Sequence, residues 1–270
     1  MKKSKAEHVP LLNNKYYNRP SIFIPENLLR ETRRQKSLPI GKVPPLCILD
    51  PDGDIVRNLI KGKKVIRNHF WACYHTELYN FIHKGTEIGI LGCAVGSSFA
   101  VLVAEELFAS GCKLVISFTS SGQIVSLRRP PYFVLIDKAL RDEGTSYHYI
   151  SPTKYSHLDK GLRDMLSGVF EQSGIPMLRG ASWTTDAPFR ETKKAIEYCK
   201  TEGILAVEME AAALYAFAQA KRKPVICFAH ITNQMGNKGD FEKGNAEGSK
   251  DALKIVHVVA QAWKKRNKYR

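Results

Sequence analysis

The chain has 270 residues, 44% of them apolar and 25% charged, with 12 Phe, 11 Tyr and 3 Trp. That length buries roughly three-quarters of the extended chain's surface on folding, and the aromatic content excludes a wholly disordered chain. Forty-one Lys and Arg against 26 Asp and Glu leave a net charge of +15, a balance that suits an anionic partner such as phosphate, a nucleotide, nucleic acid or a membrane surface.

Lys2, Lys3 and Lys5 open the chain without an apolar run behind them, so no signal peptide is expected. Residues 1–44 are polar, basic and punctuated by Pro10, Pro20, Pro25, Pro39 and Pro44. Within them residues 25–34 predict a helix, with Pro and an acid in the first turn and bases later. This segment reads as an N-terminal arm that packs on the body or on a neighbouring subunit. From Leu46 the pattern changes to short apolar runs alternating with helical stretches. Strands are predicted at 46–49, 87–91, 113–118, 132–136 and 224–231, with an extended piece at 180–185. Helices are predicted at 99–108, 158–173 and 192–201, at 206–221 after a strand-like entry, and at 249–267. Residues 119–122 read as a turn. Residues 88–104 carry no charge, but Gly89, Gly92, Gly96, Ser97 and Ser98 mark a strand, a turn and a buried helix, not a membrane span. Strands separated by helices predict one α/β domain over 45–270, with a mixed, mostly parallel central sheet flanked by helices in three layers.

Lys264, Lys265, Arg266, Lys268 and Arg270 close the chain, so the two tails hold eight of the positive charges and serve solubility. With no RNP motif, zinc-finger spacing or basic heptad helix, nucleic acid is not expected as a partner. The six cysteines, at 47, 73, 93, 112, 199 and 227, form no CxxC pair. They read as reduced core residues of a cytoplasmic protein, without a metal site.

Ligands of such folds bind at the carboxyl ends of the strands, and three segments there carry candidate chemistry. Asp50-Pro51-Asp52-Gly53-Asp54-Ile55-Val56-Arg57 places turn N–H groups near one Arg, which suits an oxyanion or a plain surface turn. Ser117-Phe118-Thr119-Ser120-Ser121-Gly122 sets four hydroxyls after a buried strand, for a phosphate, a sugar or a polar turn. Val207-Glu208-Met209-Glu210-Ala211 brings two acids to an apolar helix. Burial there requires partners, which sugar hydroxyls would supply, although either acid also suits a helix N-terminus.

Together these segments resemble the nucleoside phosphorylase family, in its branch of uridine phosphorylases, purine nucleoside phosphorylases and methylthioadenosine nucleosidases. The likeness runs from Leu46 to the last helix. It rests most on Glu208-Met209-Glu210, then on Asp50-Pro51, on Gly96-Ser97-Ser98 with the helix that follows, and on residues 224–234. The resemblance implies that Glu210 binds the 2′- and 3′-hydroxyls of ribose, with Met209 under the sugar and Cys93 beside it. It gives phosphate to Gly53, Arg57, Ser117, Ser120 and His69, and the base to Arg190, Gly122, Asn233 and Glu208. No cofactor is implied beyond phosphate as co-substrate. The partners implied are a nucleoside, phosphate and further copies of the chain, as a dimer or as a hexamer built from three dimers. Cleavage of the N-glycosidic bond would pass through an oxocarbenium-like sugar, with Glu210 and Arg57 as the catalytic pair.

Departures from the family pattern qualify the reaction. Matched without a gap, the first-loop Arg position falls on Gly53, so Arg57 takes that role only if the loop is longer here. Ser117 stands where the family's phosphorylases carry an Arg, and His69 aligns with an Arg usually donated by a neighbouring subunit. Each charged hydrogen bond to phosphate contributes about 1.5–3 kcal/mol, so losing two weakens phosphate binding about 10²-fold or more. Asn233 stands where the purine branch and the nucleosidases place an acidic Asp, as in the uridine branch. Gln234 and Pro188, however, replace that branch's Arg and Gln. The reading is a nucleoside phosphorylase of uridine type that yields base and ribose 1-phosphate. Its alternatives are a nucleosidase using water and a catalytically silent nucleoside-binding protein.

Overall fold

The computed structural model describes residues 9–235 and 242–268. Its strands are β1 (Leu46–Asp50), β2 (Ile66–Arg67), β3 (Tyr79–His83), β4 (Thr86–Gly92), β5 (Leu114–Gln123), β6 (Tyr132–Asp142), β7 (Tyr155–His157), β8 (Leu178–Thr185), β9 (Ile204–Glu208) and β10 (Val225–Gln234). Its α-helices are α1 (Pro25–Gln35), α2 (Asp54–Lys61), α3 (Ser97–Ala109), α4 (Lys160–Met165), α5 (Val169–Gln172), α6 (Lys193–Thr201), α7 (Ala211–Lys221) and α8 (Ser249–Lys268).

The strands form one mixed sheet in the order β10-β6-β8-β9-β5-β1-β4-β3-β2, with β7 beside β6. A further pairing of β10 with β5 closes β5, β10, β6, β8 and β9 into a ring. Parallel pairings run through β4-β1-β5-β10 and through β6-β8-β9. Antiparallel ones join those two groups and add β3 and β2 at the edge. The registers Asp50↔Gly92, Ser120↔His230 and Gly122↔Val207 bring the ends of β1, β4, β5, β9 and β10 together.

The buried runs in β1, β4, β5 and β10 are apolar on both faces because helices cover both. Helix α7 is buried from Ala211 to Ala218, and α3 buries Ala100, Val101, Val103, Ala104 and Leu107. Small Ala side chains let these two helices approach each other and the sheet. No described helix is long and apolar enough to cross a membrane.

Four local expectations change. Residues 119–122 are not a turn but part of the second half of β5, because β10 pairs with them, with a bulge at Thr232. The helix expected over 158–173 is two short ones, parted at Gly168 in the left-handed region (φ +69°). The helix expected from 206 begins at Ala211, after β9 and a bend. The loop expected to reach Arg57 ends at Gly53. Helix α2 starts at Asp54 and buries Ile55, Val56 and Leu59.

Candidate active site

The first loop owes its shape to Gly53, whose φ of +77° few side chains tolerate. Its N–H donates to the Asp50 carbonyl (2.8 Å), and so does that of Cys93 from the end of β4 (3.1 Å). The Asp50 carboxylate accepts the Val56 N–H (2.9 Å), and burial pushes its pKa up to about 7. Arg57 extends from the first turn of α2. Its Nη2 pairs with Asp54 Oδ1 at 2.5 Å and its Nη1 lies 3.9 Å from Cys93 Sγ. A Cβ added to Gly53 would stand 2.6 Å from Arg57 Nη1 and 2.8 Å from Cys93 Sγ. The guanidinium thus fills the space a side chain at position 53 would use. Arg57 gets there from a helix, which corrects the expectation of a longer loop. Lys243 also binds Asp54, Nζ to Oδ2 at 2.5 Å.

The end of β5 faces this loop. Ser120 N–H donates to Asp52 Oδ2 (2.9 Å), and its hydroxyl lies 3.2 Å from that of Thr232. Burial raises the Asp52 carboxyl, opposed by that hydrogen bond. Ser117 lies deeper, level with Leu49 and Cys227, its hydroxyl buried and unpartnered among the described residues. Asp50, Asp52, Asp54, Ser120 and His230 line a cavity of about 20 Å³, room for about one water molecule. His230 stacks on Phe133 with ring centroids 4.5 Å apart, and burial pulls its pKa down to about 4, so the ring is neutral at pH 7.

The bend between β9 and α7 holds the two glutamates in different roles. Glu208 Oε2 accepts the N–H groups of Glu210 and Ala211, both at 2.7 Å, and so caps α7. Its Oε1 accepts Ser182 Oγ (2.9 Å) and the Thr184 hydroxyl. With four donors it is engaged inside the chain, which corrects the expectation that it meets the base. Glu210 is 1% exposed. Its Oε1 accepts Gly96 N–H (2.7 Å) and its Oε2 accepts Thr119 Oγ1 (2.6 Å). Burial, and then the Glu208 charge, push its pKa up to about 8. Met209, half-buried, is fixed through its carbonyl by Ser97 Oγ (2.7 Å).

At the far end of the cluster, a Cβ on Gly122 would run into Met235 Sδ. Asn233 Oδ1 accepts the Thr232 hydroxyl (3.3 Å). Gln234 Oε1 accepts Gln123 Nε2 (2.7 Å), and Gln123 in turn accepts the Tyr132 hydroxyl. Two expected residues stand apart. Arg190 is exposed in a single 3₁₀ turn after β8, without a hydrogen bond from its side chain among the described residues. His69 is exposed just after β2, at the far edge of the sheet.

The structure therefore gathers Gly53, Arg57, Cys93, Ser120, Gly122, Met209, Glu210 and Asn233 at one end of the sheet. Asp52 and Thr119 lie in two of the candidate segments of the sequence but gain individual roles only here, and Ser182, Thr184 and Gln123 have no signal in it. Among the described residues, no group of three His, Cys, Asp or Glu side chains is placed to hold a metal ion.

Residues 45–261 match the family model described as the phosphorylase superfamily. The guanosine phosphorylase of Halorubrum lacusprofundi is 25% identical over 191 residues, 69% of this chain and 79% of that protein. The uridine phosphorylase of Thermococcus kodakarensis is 26% identical over 200 residues, 67% of this chain and 70% of that protein. The crystal structure of a Campylobacter jejuni 5′-methylthioadenosine/S-adenosylhomocysteine nucleosidase superposes with a TM-score of 0.65 at 15% identity, covering 83% of this chain and all of that one.

Proposed function

The chain belongs to the phosphorylase superfamily, and we propose that it breaks the N-glycosidic bond of a uridine-like nucleoside with phosphate as acceptor. The observation that carries this reading is Glu210. A carboxylate offers about four lone-pair sites, and Gly96 N–H and Thr119 Oγ1 occupy one on each oxygen. One site per oxygen is left for the two ribose hydroxyls, and Met209 packs under the ring. The bond from C1′ to the base breaks with its electron pair going to the base. A phosphate oxygen then bonds C1′, giving ribose 1-phosphate. Arg57 and the Ser120 hydroxyl hold the phosphate, and the position of Arg57 over Gly53 supports that role. Asn233 donates no acidic proton. This suits a pyrimidine that leaves as an anion with its charge spread over two carbonyl oxygens. The two phosphorylases named above support phosphorolysis. A cytoplasmic location accords with six unbridged cysteines, and recovery of bases from nucleosides is the matching role.

A second reading, hydrolysis, is favoured by one contact. The Ser120 N–H that would meet phosphate already donates to Asp52, and a carboxylate there repels a dianion and orients water. Base release from uridine, thymidine, inosine, adenosine and methylthioadenosine, with and without phosphate, separates the two. Release that requires phosphate is expected. Asp52→Ala should then lower the KM for phosphate several-fold, whereas loss of phosphate-independent release in that variant would establish the hydrolytic reading.

A further inference from the structure

Residues 9–44 precede the matched family segment and are fastened to the body at two places. Near the start, Lys15 Nζ lies 3.2 Å from His148 Nδ1, and the Tyr17 hydroxyl donates to the Tyr147 carbonyl at 3.2 Å. Further on, α1 buries Leu29 and Thr32, and Lys36 Nζ donates to the Cys73 carbonyl at 2.9 Å. Between these anchors the chain presents Ile22 at 100% exposure, Phe23 at 71% and Ile24 at 37%. Held on both sides, this apolar run does not fold back onto its own subunit. Contiguous exposed apolar surface of this kind marks an interface.

The same chain carries a matching hollow. At the free edge of the sheet, Leu59, Ile66, Phe81, Ile82 and Leu253 line a groove of about 630 Å³. Ile66 and Ile82 are 75% and 77% exposed, because β2 spans two residues and covers little of β3. Charges bracket both features. Arg19 precedes the apolar run and Glu26 follows it. Glu87 lies at one end of the groove, opposite Ile82, and Arg67 at the other, opposite Tyr79.

We propose that the Ile22-Phe23-Ile24 run of one copy seats in this groove of a second copy, making the arm an assembly element of the protein. Apolar side chains fill the hollow while Arg19 meets Glu87 and Glu26 meets Lys64, beside Arg67, which also pairs with Glu77 of its own subunit at 2.8 Å. Two copies that exchange arms reciprocally form two such contacts about a two-fold axis. The partner is this chain because both halves of the contact, and both signs of the bracketing charge, are found on it.

Sedimentation velocity on the full chain at about 10 μM tests this without reference to catalysis. The unmodified chain should run as a defined oligomer. I22D/F23D, which spoils the arm, and I66D/I82D, which spoils the groove, should each reduce the mass by an integer factor, with association weakened about 100-fold or more. An equimolar mixture should form mixed pairs, since one variant keeps its groove and the other its arm. Near-UV circular dichroism checks that each variant is folded, with I22S/F23S and I66S/I82S replacing any that is not. A monomeric unmodified chain, unchanged mass in both variants, or a mixture that stays as separate species would overturn the proposal.

Discussion

Glu210 is buried and close to a second carboxylate, an arrangement that disfavours its charged form. Burial and Glu208 raise its pKa from the ordinary 4.5 to about 8. Its folded value thus exceeds its unfolded one, so the native state holds the proton more tightly and loses stability as pH rises from about 4.5 to 8. Ribose recognition needs the ionised form, which accepts both hydroxyls. In the free enzyme kcat/KM should therefore rise with pH up to about 8, while the melting temperature falls over the same range. Glu210→Gln separates the two effects. Its amide can still accept from Gly96 N–H and donate to Thr119, so the fold should persist. Activity should drop at least 100-fold, and the melting temperature should depend less on pH than in the unmodified chain. A variant with unchanged kcat/KM would remove Glu210 from the reaction. The importance of Glu210 is legible from Glu208-Met209-Glu210 alone. That Glu208 turns inward is not, because its partners Ser182 and Thr184 lie 26 and 24 residues away and no local pattern points to them.

At the scale of elements, the site depends on how α7 begins. Thr184 on β8 donates to Glu208 and accepts the Ala212 N–H at 2.9 Å, so one hydroxyl joins a strand, a buried carboxylate and a helix terminus. Thr184→Val keeps the shape but removes a donor from Glu208 and an acceptor from Ala212. Losing one of four bonds to the buried Glu208 carboxylate and the named acceptor of the Ala212 N–H should cost about 2–4 kcal/mol, seen as a lower urea midpoint with an unchanged slope. Turnover should fall too, since Glu208 holds the Glu210 backbone. Ser182→Ala, which loses one bond, should cost less than half as much, and an equal loss would contradict the bridging role of Thr184. The same interdependence explains which elements were readable. Isolated apolar strands such as β1 and β10 and the apolar helix α3 stand out by pattern. The end of β5, rich in Ser and Thr, reads as a turn, and only its pairing with β10 makes it a strand. Helix α2, eight residues long, is too short for its periodicity to show. The closure of five strands into a ring has no local signal, since it depends on where β10 lies.

For the molecule as a whole, the arm changes the environment of a helix that also reaches the site. Helix α3 begins beside Gly96, which binds Glu210, and carries Glu106, 1% exposed with neither carboxylate oxygen hydrogen-bonded among the described residues. Burial pushes its carboxyl up, against the opposing pull of the Cys73 thiol and of the His75 and Lys36 charges. Lys36 directly follows α1, which places the arm close to this carboxylate. A folded pKa above the unfolded one means that the native state favours the proton, so Glu106 destabilises increasingly as pH rises above about 4.5. Replacing it with Met, unbranched and of similar length, should stabilise the full chain, by roughly 3–8 °C at pH 8 and by less at pH 5. In a chain that starts at residue 37, water should reach position 106, and the gain from Glu106→Met should shrink at both pH values. Thermal unfolding of the four proteins at the two pH values makes a cycle that measures the coupling between arm and helix. Equal gains with and without the arm would mean that α1 does not keep water from Glu106, and that the strain of this carboxylate belongs to the family core alone.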